Sequence, residues 1–172
     1  MTVYKLGVIP EQFGLVVEMR WRDLREDDLP RCGWAGTPLH LRSVVGELRR
    51  AADGEVDYLL VIAPNGEPVG MGGVDFTRHP GAGTLYQLAV RPSWQSCGVG
   101  RTLVRLLEQR TRDRGLATAE LSVELDNPRA RALYERLGYA AYGEEPEAWD
   151  EQLPDGSVGR YETLCATMRR QL

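Results

Sequence analysis

An apolar run from Leu85 to Val90 leads, past a short loop, into Gln95-Ser96-Cys97-Gly98-Val99-Gly100-Arg101-Thr102, the stretch of this chain best equipped to hold an anion. The first amides of an α-helix have no carbonyl partner, and its aligned peptide dipoles leave partial positive charge at that end. Gly98 and Gly100 remove side chains that would keep a phosphate from those amides, Gly98 can take backbone angles closed to other residues, and Arg101 adds a mobile full charge. The segment reads as a diphosphate cradle. A turn and helix cap with no ligand would use the same glycines. An ATP-type phosphate loop needs Lys-Ser/Thr after its last glycine, where this chain has Arg101-Thr102. A dinucleotide fingerprint wants a glycine where Leu103 stands and a tight turn where the loop from Pro92 to Ser96 intervenes. Glu120 lies near its ribose-binding spacing, so that reading is weakened and stays open.

Cys97 sits where a helix start would lower a thiol pKa. A covalent mechanism through it is rejected, because its place belongs to the loop and no histidine is near it in sequence. Cys32, Cys97 and Cys165 are odd in number, far apart and outside any Cys-x-x-Cys or Cys/His cluster, which implies reduced thiols, a cytoplasmic setting and no metal. A chain of 172 residues with 42% apolar and 27% charged residues fits one soluble domain with a full-sized core. The formal net charge of −4, without basic clusters interleaved with aromatics, argues against nucleic acid as a partner. No leader-like segment opens the sequence and no run approaches the ~18 apolar residues of a spanning helix, so no membrane partner is expected.

The elements that must position the loop follow from periodicity and punctuation. Residues 1–13 carry little signal and read as an extension or an extra edge strand; residues 14–172 read as one domain. Leu15 to Trp21 reads as a strand, Glu26-Asp27-Asp28 as the start of a short helix, and Leu39 to Ala52 as a helix with Leu41, Val44, Val45 and Leu48 on one face. Tyr58–Ala63 and Pro68–Phe76 flank Pro64-Asn65-Gly66-Glu67, a hairpin signal, and a further strand runs from Thr84 to Val90. Val99, Leu103, Leu106 and Leu107 give the following helix a buried face, and Gly115 stops it. A strand at Ala119–Glu124 precedes Asn127-Pro128, a cap and first helical position, and Gly138, a helix stop. The tail reads as a strand from Tyr139 to Glu144, an acidic loop turning at Pro154-Asp155-Gly156, and a last strand from Gly159 to Met168.

Two motifs in this order resemble the GNAT superfamily of N-acetyltransferases over roughly residues 14–170. Gln95, Gly98 and Gly100 match its Gln/Arg-x-x-Gly-x-Gly/Ala pattern, and Asn127, Ala130 and Tyr134 match its Asn-x-x-Ala-x-x-x-Tyr pattern. The resemblance implies an α/β (α+β) fold: a mixed, mostly antiparallel central sheet of about six to seven strands with helices on both faces. Its fourth and fifth strands are splayed, and acetyl-coenzyme A is the co-substrate wedged between them. Backbone groups of Leu88, Ala89 and Val90 would pair with the pantetheine arm, and the amides from Gln95 through Ser96, Cys97, Gly98, Val99 and Gly100 to Arg101 and Thr102 would hold the diphosphate. Asn127, Ala130 and Tyr134 would complete the cofactor site. The family often has glycine where Ser96 stands; a serine still donates its amide. Family members often pair through their later strands, so a homodimer is one implied assembly, although no apolar stripe in the sequence demands it.

Acetyl transfer to an amine requires a neutral nucleophile, stabilised oxyanion charge and a protonated leaving thiolate. An amine of pKa about 10.4 arrives mostly charged at neutral pH. By spacing, Tyr134 shares a helix face with Ala130 and also suits packing beside Leu133 and Leu137; the resemblance gives it the role of acid to the thiolate. The family's usual base, a glutamate on the fourth strand, is missing, since no carboxylate lies between Asp75 and Glu108. Asp75, His79, Glu120, Glu124 and ordered water all remain as candidates.

The acceptor that the resemblance implies is a small-molecule or peptide amine. Glu144, Glu145, Glu147, Asp150, Glu151 and Asp155 form an acidic segment without Lys or Arg, with Trp149 among them, which could attract a cation or could be a solvated turn. Trp34 and His40 are weaker leads to the same cleft. Arg42, Arg49 and Arg50, and Arg105, Arg110, Arg112 and Arg114, read as wet helix faces, one of the latter able to reach the 3′-phosphate of coenzyme A. A non-catalytic acyl-coenzyme A-binding or regulatory module would keep the loop and lose the chemistry; an O-acyltransferase or a user of longer acyl groups would differ only in the cleft.

Overall fold

The computed structural model describes residues 3–7 and 16–172. Eight strands form one mixed sheet in the order β1 (Val3–Gly7), β2 (Val16–Asp23), β3 (Val56–Ile62), β4 (Pro68–Asp75), β5 (Ala82–Val90), β6 (Thr118–Glu124), β8 (Val158–Gln171) and β7 (Ala140–Gln152). Neighbours are antiparallel except for the β5–β6 pair, which is parallel. The expected six to seven strands are present, with one more at the edge: β1 lies within segment 1–13 and pairs with β2. Residues 1–2 and 8–15 lie outside the described residues.

Alternation along the central strands feeds two cores. On one face Leu59 and Val61 of β3 pack with Val99, Leu103, Val104, Leu106 and Leu107 of α2 (Val99–Asp113) and with Tyr134 and Leu137 at α3 (Pro128–Arg136). On the other face Tyr58, Leu60 and Met71 pack with Val44 of α1 (Pro38–Ala52) and with Leu24, Leu29 and Cys32 around a 3₁₀ turn at Glu26–Arg31. Helices thus cover both faces, and each fully buried aliphatic side chain contributes roughly 1.5–3 kcal/mol. Glu108 on the buried side of α2 is not exposed at all, and it accepts hydrogen bonds from Arg105 (2.9 Å) and Arg170 (2.8 and 3.0 Å), tying α2 to β8.

The sheet opens between its two parallel strands. β5 and β6 pair only from Ala82–Thr118 to Leu85–Leu121, after which β5 continues to Val90 against β4 and β6 continues to Glu124 against β8. Just past the last shared pair, Gln87 and Leu88 together stand against the single Gly72, and Gln87 takes φ 51°. Such a bulge bends its strand and strengthens the local twist, carrying β5 away from β6.

One element departs from the expectation. The acidic stretch read as a loop is strand: β7 pairs with β8 all the way to Gln152–Val158, leaving a tight turn around Gly156 (φ 85°). Almost every residue of β7 is exposed or half-exposed. With neither face buried along its outer half, no apolar alternation marks it in the sequence.

Candidate functional site

α2 starts from Gly98 in the left-handed conformation (φ 83°, ψ −6°), and the first helical amide with a partner is that of Thr102, which donates to the Gly98 carbonyl at 3.0 Å. The amides of Val99, Gly100 and Arg101 precede any such partner and face the loop end of the helix. Ser96 is also left-handed (φ 61°), a conformation that costs a side-chain-bearing residue about 1–2 kcal/mol and that a glycine would adopt freely. Three hydrogen bonds hold the loop around it. Arg129 in the first turn of α3 donates to Gln95 Oε1 at 2.8 Å and to Ser96 Oγ at 3.0 Å, and Gln95 Nε2 donates to the Val90 carbonyl at 3.2 Å.

Loop, β5, α2 and α3 enclose a cavity of about 480 Å³. Of the expected cofactor residues, Leu88, Val90, Gln95, Ser96, Gly98, Gly100, Arg101, Asn127, Ala130 and Tyr134 line it. Ala89, Cys97, Val99 and Thr102 do not: Ala89 packs against the α1-side core, Val99 is fully buried in the other core, and the Cys97 thiol is exposed, directed at the Gln95 carbonyl (3.5 Å). A Cβ on Gly100 would meet Leu133 Cδ2 at 3.4 Å and Val90 Cγ2 at 3.6 Å, so the glycine keeps the floor between β5 and α3 open. The charged residues of the lining are Arg101, Arg129 and Arg136, all cationic.

Helix α3 carries Tyr134 to the inner end of this cavity. Asn127 caps it by accepting from the Ala130 amide at 3.1 Å, Pro128 takes the first position, and Gly138 (φ 92°) follows its end. Tyr134 is 8% exposed, its ring is edge-on to Tyr139, and burial raises its phenol to about 12.

A second cavity, about 330 Å³, opens on the α1 side of the sheet and shares Leu88, Asn127, Ala130 and Tyr134 with the first. Tyr86 and Gln87 from the bulge, Ser122 and Glu124 from β6, Glu147 and Trp149 from β7 and Cys165 from β8 line the rest. Its charged residues are Glu124 and Glu147, both anionic. The gap in the sheet is therefore entered from a cationic side and from an anionic side, with Tyr134 common to both.

The four residues considered as bases separate clearly. Burial alone would raise the Asp75 carboxyl, but hydrogen bonds from Thr77 (amide 2.7 Å, Oγ1 2.8 Å), the Arg78 amide and Arg50 (2.8 Å) outweigh it and hold the group below its usual value. His79 and Glu120 face each other (Nδ1 to Oε2, 2.8 Å), and neither lines either of these two cavities. Only Glu124, at the splayed end of β6, shares a cavity with Tyr134. Trp34 packs against the α1-side core, and His40, whose pKa burial lowers, lies against Gly36; neither lines either of these two cavities.

Arg129, Arg136, Leu133, Tyr86, Gln87 and Ser122 were not singled out from the sequence. Arg129 had a signal. A cation in the first turn of a helix opposes the helix dipole, and such a residue needs an anionic or acceptor partner to hold it there.

A sequence model of the Acetyltransferase (GNAT) family matches residues 17–139. A mycothiol acetyltransferase of Streptomyces avermitilis is 37% identical over 78 residues, 45% of this chain and 25% of that protein, so the match spans a quarter of the relative's length. Among solved structures, the ribosomal-protein-S18-alanine N-acetyltransferase of Escherichia coli is similar with TM-score 0.66 and 22% identity, covering 89% of this chain and 93% of the other. PaiA N-acetyltransferase of Thermoplasma acidophilum, in complex with coenzyme A, is similar with TM-score 0.63 and 15% identity, covering 90% and 99%. These two likenesses concern the fold. No helix of the described residues is long and apolar enough to cross a membrane.

Proposed function

Because this chain belongs to the acetyltransferase (GNAT) family, we propose that it transfers an acetyl group from acetyl-coenzyme A to a primary amine by direct attack in a ternary complex, with Tyr134 protonating the departing thiolate. One observation carries the reading: two cavities of opposite charge meet at Tyr134. The donor is a polyanion, and Arg101, Arg129, Arg136 and the first amides of α2 suit its phosphates. The acceptor is a cation until it loses a proton, and Glu124 and Glu147 suit it. A cytoplasmic setting belongs to the same reading, on the thiol usage of the sequence.

The site fits the donor. On its β6 side, β5 from Leu88 to Val90 has no paired strand, so the backbone groups of that edge are left to pair with an extended arm, and the glycine floor at Gly100 leaves room for it. Glu124 stabilises the incoming ammonium and passes its proton toward solvent. The amine nitrogen then attacks the thioester carbonyl carbon; the C–N bond forms, the C–S bond breaks as the Tyr134 hydroxyl gives its proton to sulfur, and the proton shed by the acylated nitrogen returns through solvent to the Tyr134 oxygen. The products are an N-acetylated amine and free coenzyme A thiol.

The test is thiol release from acetyl-coenzyme A with a panel of polyamines, monoamines, aminoglycosides, amino acids and lysine peptides. Amine-dependent release is expected for at least one class. Tight coenzyme A binding with no release across the panel would favour the non-catalytic acyl-coenzyme A-binding module instead.

A further inference from the structure

The sheet face beside the acceptor cavity carries more negative charge than one ammonium calls for. In antiparallel pairs, residues directly opposed share a face, as do residues two apart. Glu124 opposes Cys165, which opposes Glu145; further out, Thr163 opposes Glu147 and Tyr161 opposes Trp149. These side chains therefore form one surface that starts at Tyr134 and runs out along the β7–β8 hairpin. Trp149 and Tyr161 pack together on it, tilted by 40° with centroids 4.9 Å apart, and Trp149 keeps 41% of its surface exposed. From the strand spacing, Glu124 and Glu147 are roughly 12 Å apart at the backbone, two strands across and two residues along, and their side chains reach toward the cavity between them.

Not all of this charge is free. Glu145 accepts from Ser122 Oγ at 3.0 Å, and Glu147 holds Arg78 through one 3.3 Å contact. Arg78 is nearly half exposed and is not part of the cavity lining, so it is a weak competitor for Glu147. At the inner end the Tyr134 hydroxyl, on a residue 8% exposed, has no hydrogen-bond partner among the described residues.

We propose that the preferred acceptor is a small linear aliphatic amine bearing a second ammonium. This inference rests on the acetyl-transfer reading and names its substrate class. The reacting amine lies between Tyr134 and Glu124. The second ammonium lies against Glu147 and the face of Trp149, where carboxylate attraction and cation–π attraction act together. The methylene chain spans the cavity past Cys165, which lies between them in the strand register. A cavity of about 330 Å³ is of small-molecule size. Amines carrying a carboxylate are disfavoured, because Glu124 and Glu147 would repel it.

The experiment compares kcat/KM, per reactive amine, for putrescine and cadaverine with butylamine, pentylamine and γ-aminobutyrate. Expected is a diamine preference of about tenfold over the matched monoamine at low salt, the size of one charge-assisted contact in a half-buried site, falling as ionic strength rises. In Glu147→Gln the preference falls to about twofold, while acetyl-coenzyme A still binds, which shows that the variant is folded. In Arg78→Gln, which removes the competing cation, the preference grows. Equal kcat/KM for diamine and monoamine overturns the inference and leaves acetyl transfer standing, as does a Glu147→Gln variant that slows both amines by the same factor. Acetyl-coenzyme A binding without thiol release for any amine overturns the acetyl-transfer reading, and this inference with it.

Discussion

Replacing Tyr134 with phenylalanine removes one oxygen from the point where the two cavities meet and leaves the packing in place. The ring lies beside Tyr139 with centroids 6.1 Å apart at 62°, and phenylalanine keeps that contact. The lost hydroxyl has no partner among the described residues, so no buried group is orphaned and the melting temperature should move by less than ~2 °C. The effect falls on chemistry. Burial holds the phenol at about 12, whereas a thiol titrates near 8.5, so outright proton transfer to a free thiolate is uphill by about 5 kcal/mol. The hydroxyl therefore hydrogen-bonds to sulfur as charge builds there, and its proton crosses only in concert with the one that the acylated nitrogen returns to the phenol oxygen. A charge-assisted bond contributes about 1.5–3 kcal/mol, which is roughly ten- to a hundred-and-fiftyfold in kcat; full general-acid help would extend the loss toward a thousandfold. The assay is steady-state thiol release at saturating amine and acetyl-coenzyme A, with coenzyme A affinity measured by calorimetry. Expected are a kcat lower by about ten- to a thousandfold and an affinity within about threefold of the parent. The sign of the pH dependence follows from the raised pKa: the phenol stays protonated below about 12, so Tyr134 imposes no alkaline fall in rate below that range. A variant kcat within about twofold of the parent would refute the role, as would an alkaline fall near pH ~9 present in the parent and absent from the variant.

Arg129→Ala removes the clamp on Gln95 and Ser96 and one of the three cations of the donor cavity. KM for acetyl-coenzyme A should rise about ten- to thirtyfold with kcat little changed, and the ratio between variant and parent should shrink as salt is added; steady-state kinetics at two ionic strengths check both. Asp28→Asn tests a site remote from the cavities. Two hydrogen bonds from Arg22 (2.6 and 2.7 Å) hold the Asp28 carboxyl below its usual value, against burial, with a further one from the Arg25 amide. Its contribution is therefore present above the unfolded value near 3.9 and is lost as pH falls through the lower folded value. With Arg22 a third exposed, about 1–2 kcal/mol is at stake. The variant should melt about 2–6 °C lower at neutral pH, a gap that narrows in thermal scans as pH is lowered below the unfolded value.

What could be read from the sequence was chemistry local to the chain. The left-handed Gly98 before α2, the Asn127 cap, Pro128 and the stop at Gly138 are each written in one or two residues, and each stands where expected. The β3–β4 hairpin was equally local. The acceptor cavity was not, because Tyr86, Glu124, Tyr134, Glu147 and Cys165 come from five elements and meet only through the β6–β8–β7 register. That register depended on recognising β7 as a strand, which its unburied faces conceal. The backbone of Gln87 was also illegible: nothing in a glutamine requires φ 51°, and the conformation is imposed from outside.

The source of that imposition connects α1 to the gap. Gln87 Oε1 accepts from the Tyr58 hydroxyl of β3 (3.1 Å), its Nε2 donates to Ser43 Oγ of α1 (3.3 Å), and the neighbouring Tyr86 hydroxyl donates to Glu47 of α1 (2.6 Å). Arg50 of the same helix binds Glu47 (2.9 Å) and Asp75 at the far end of β4 (2.8 Å). A left-handed glutamine costs about 1–2 kcal/mol, and each of these bonds returns roughly 0.5–1.5 kcal/mol, so the network is large enough to hold the bulge. The bulge in turn keeps β5 from closing onto β6 past Leu85. Were the two strands zipped together, the backbone edge of Leu88 to Val90 would be consumed by β6 and Glu124 would lie against β5. Asp75, a base candidate that lines neither of the two cavities, thus has a place in the scheme: with Arg50 it anchors the helix whose other side chains keep the sheet open.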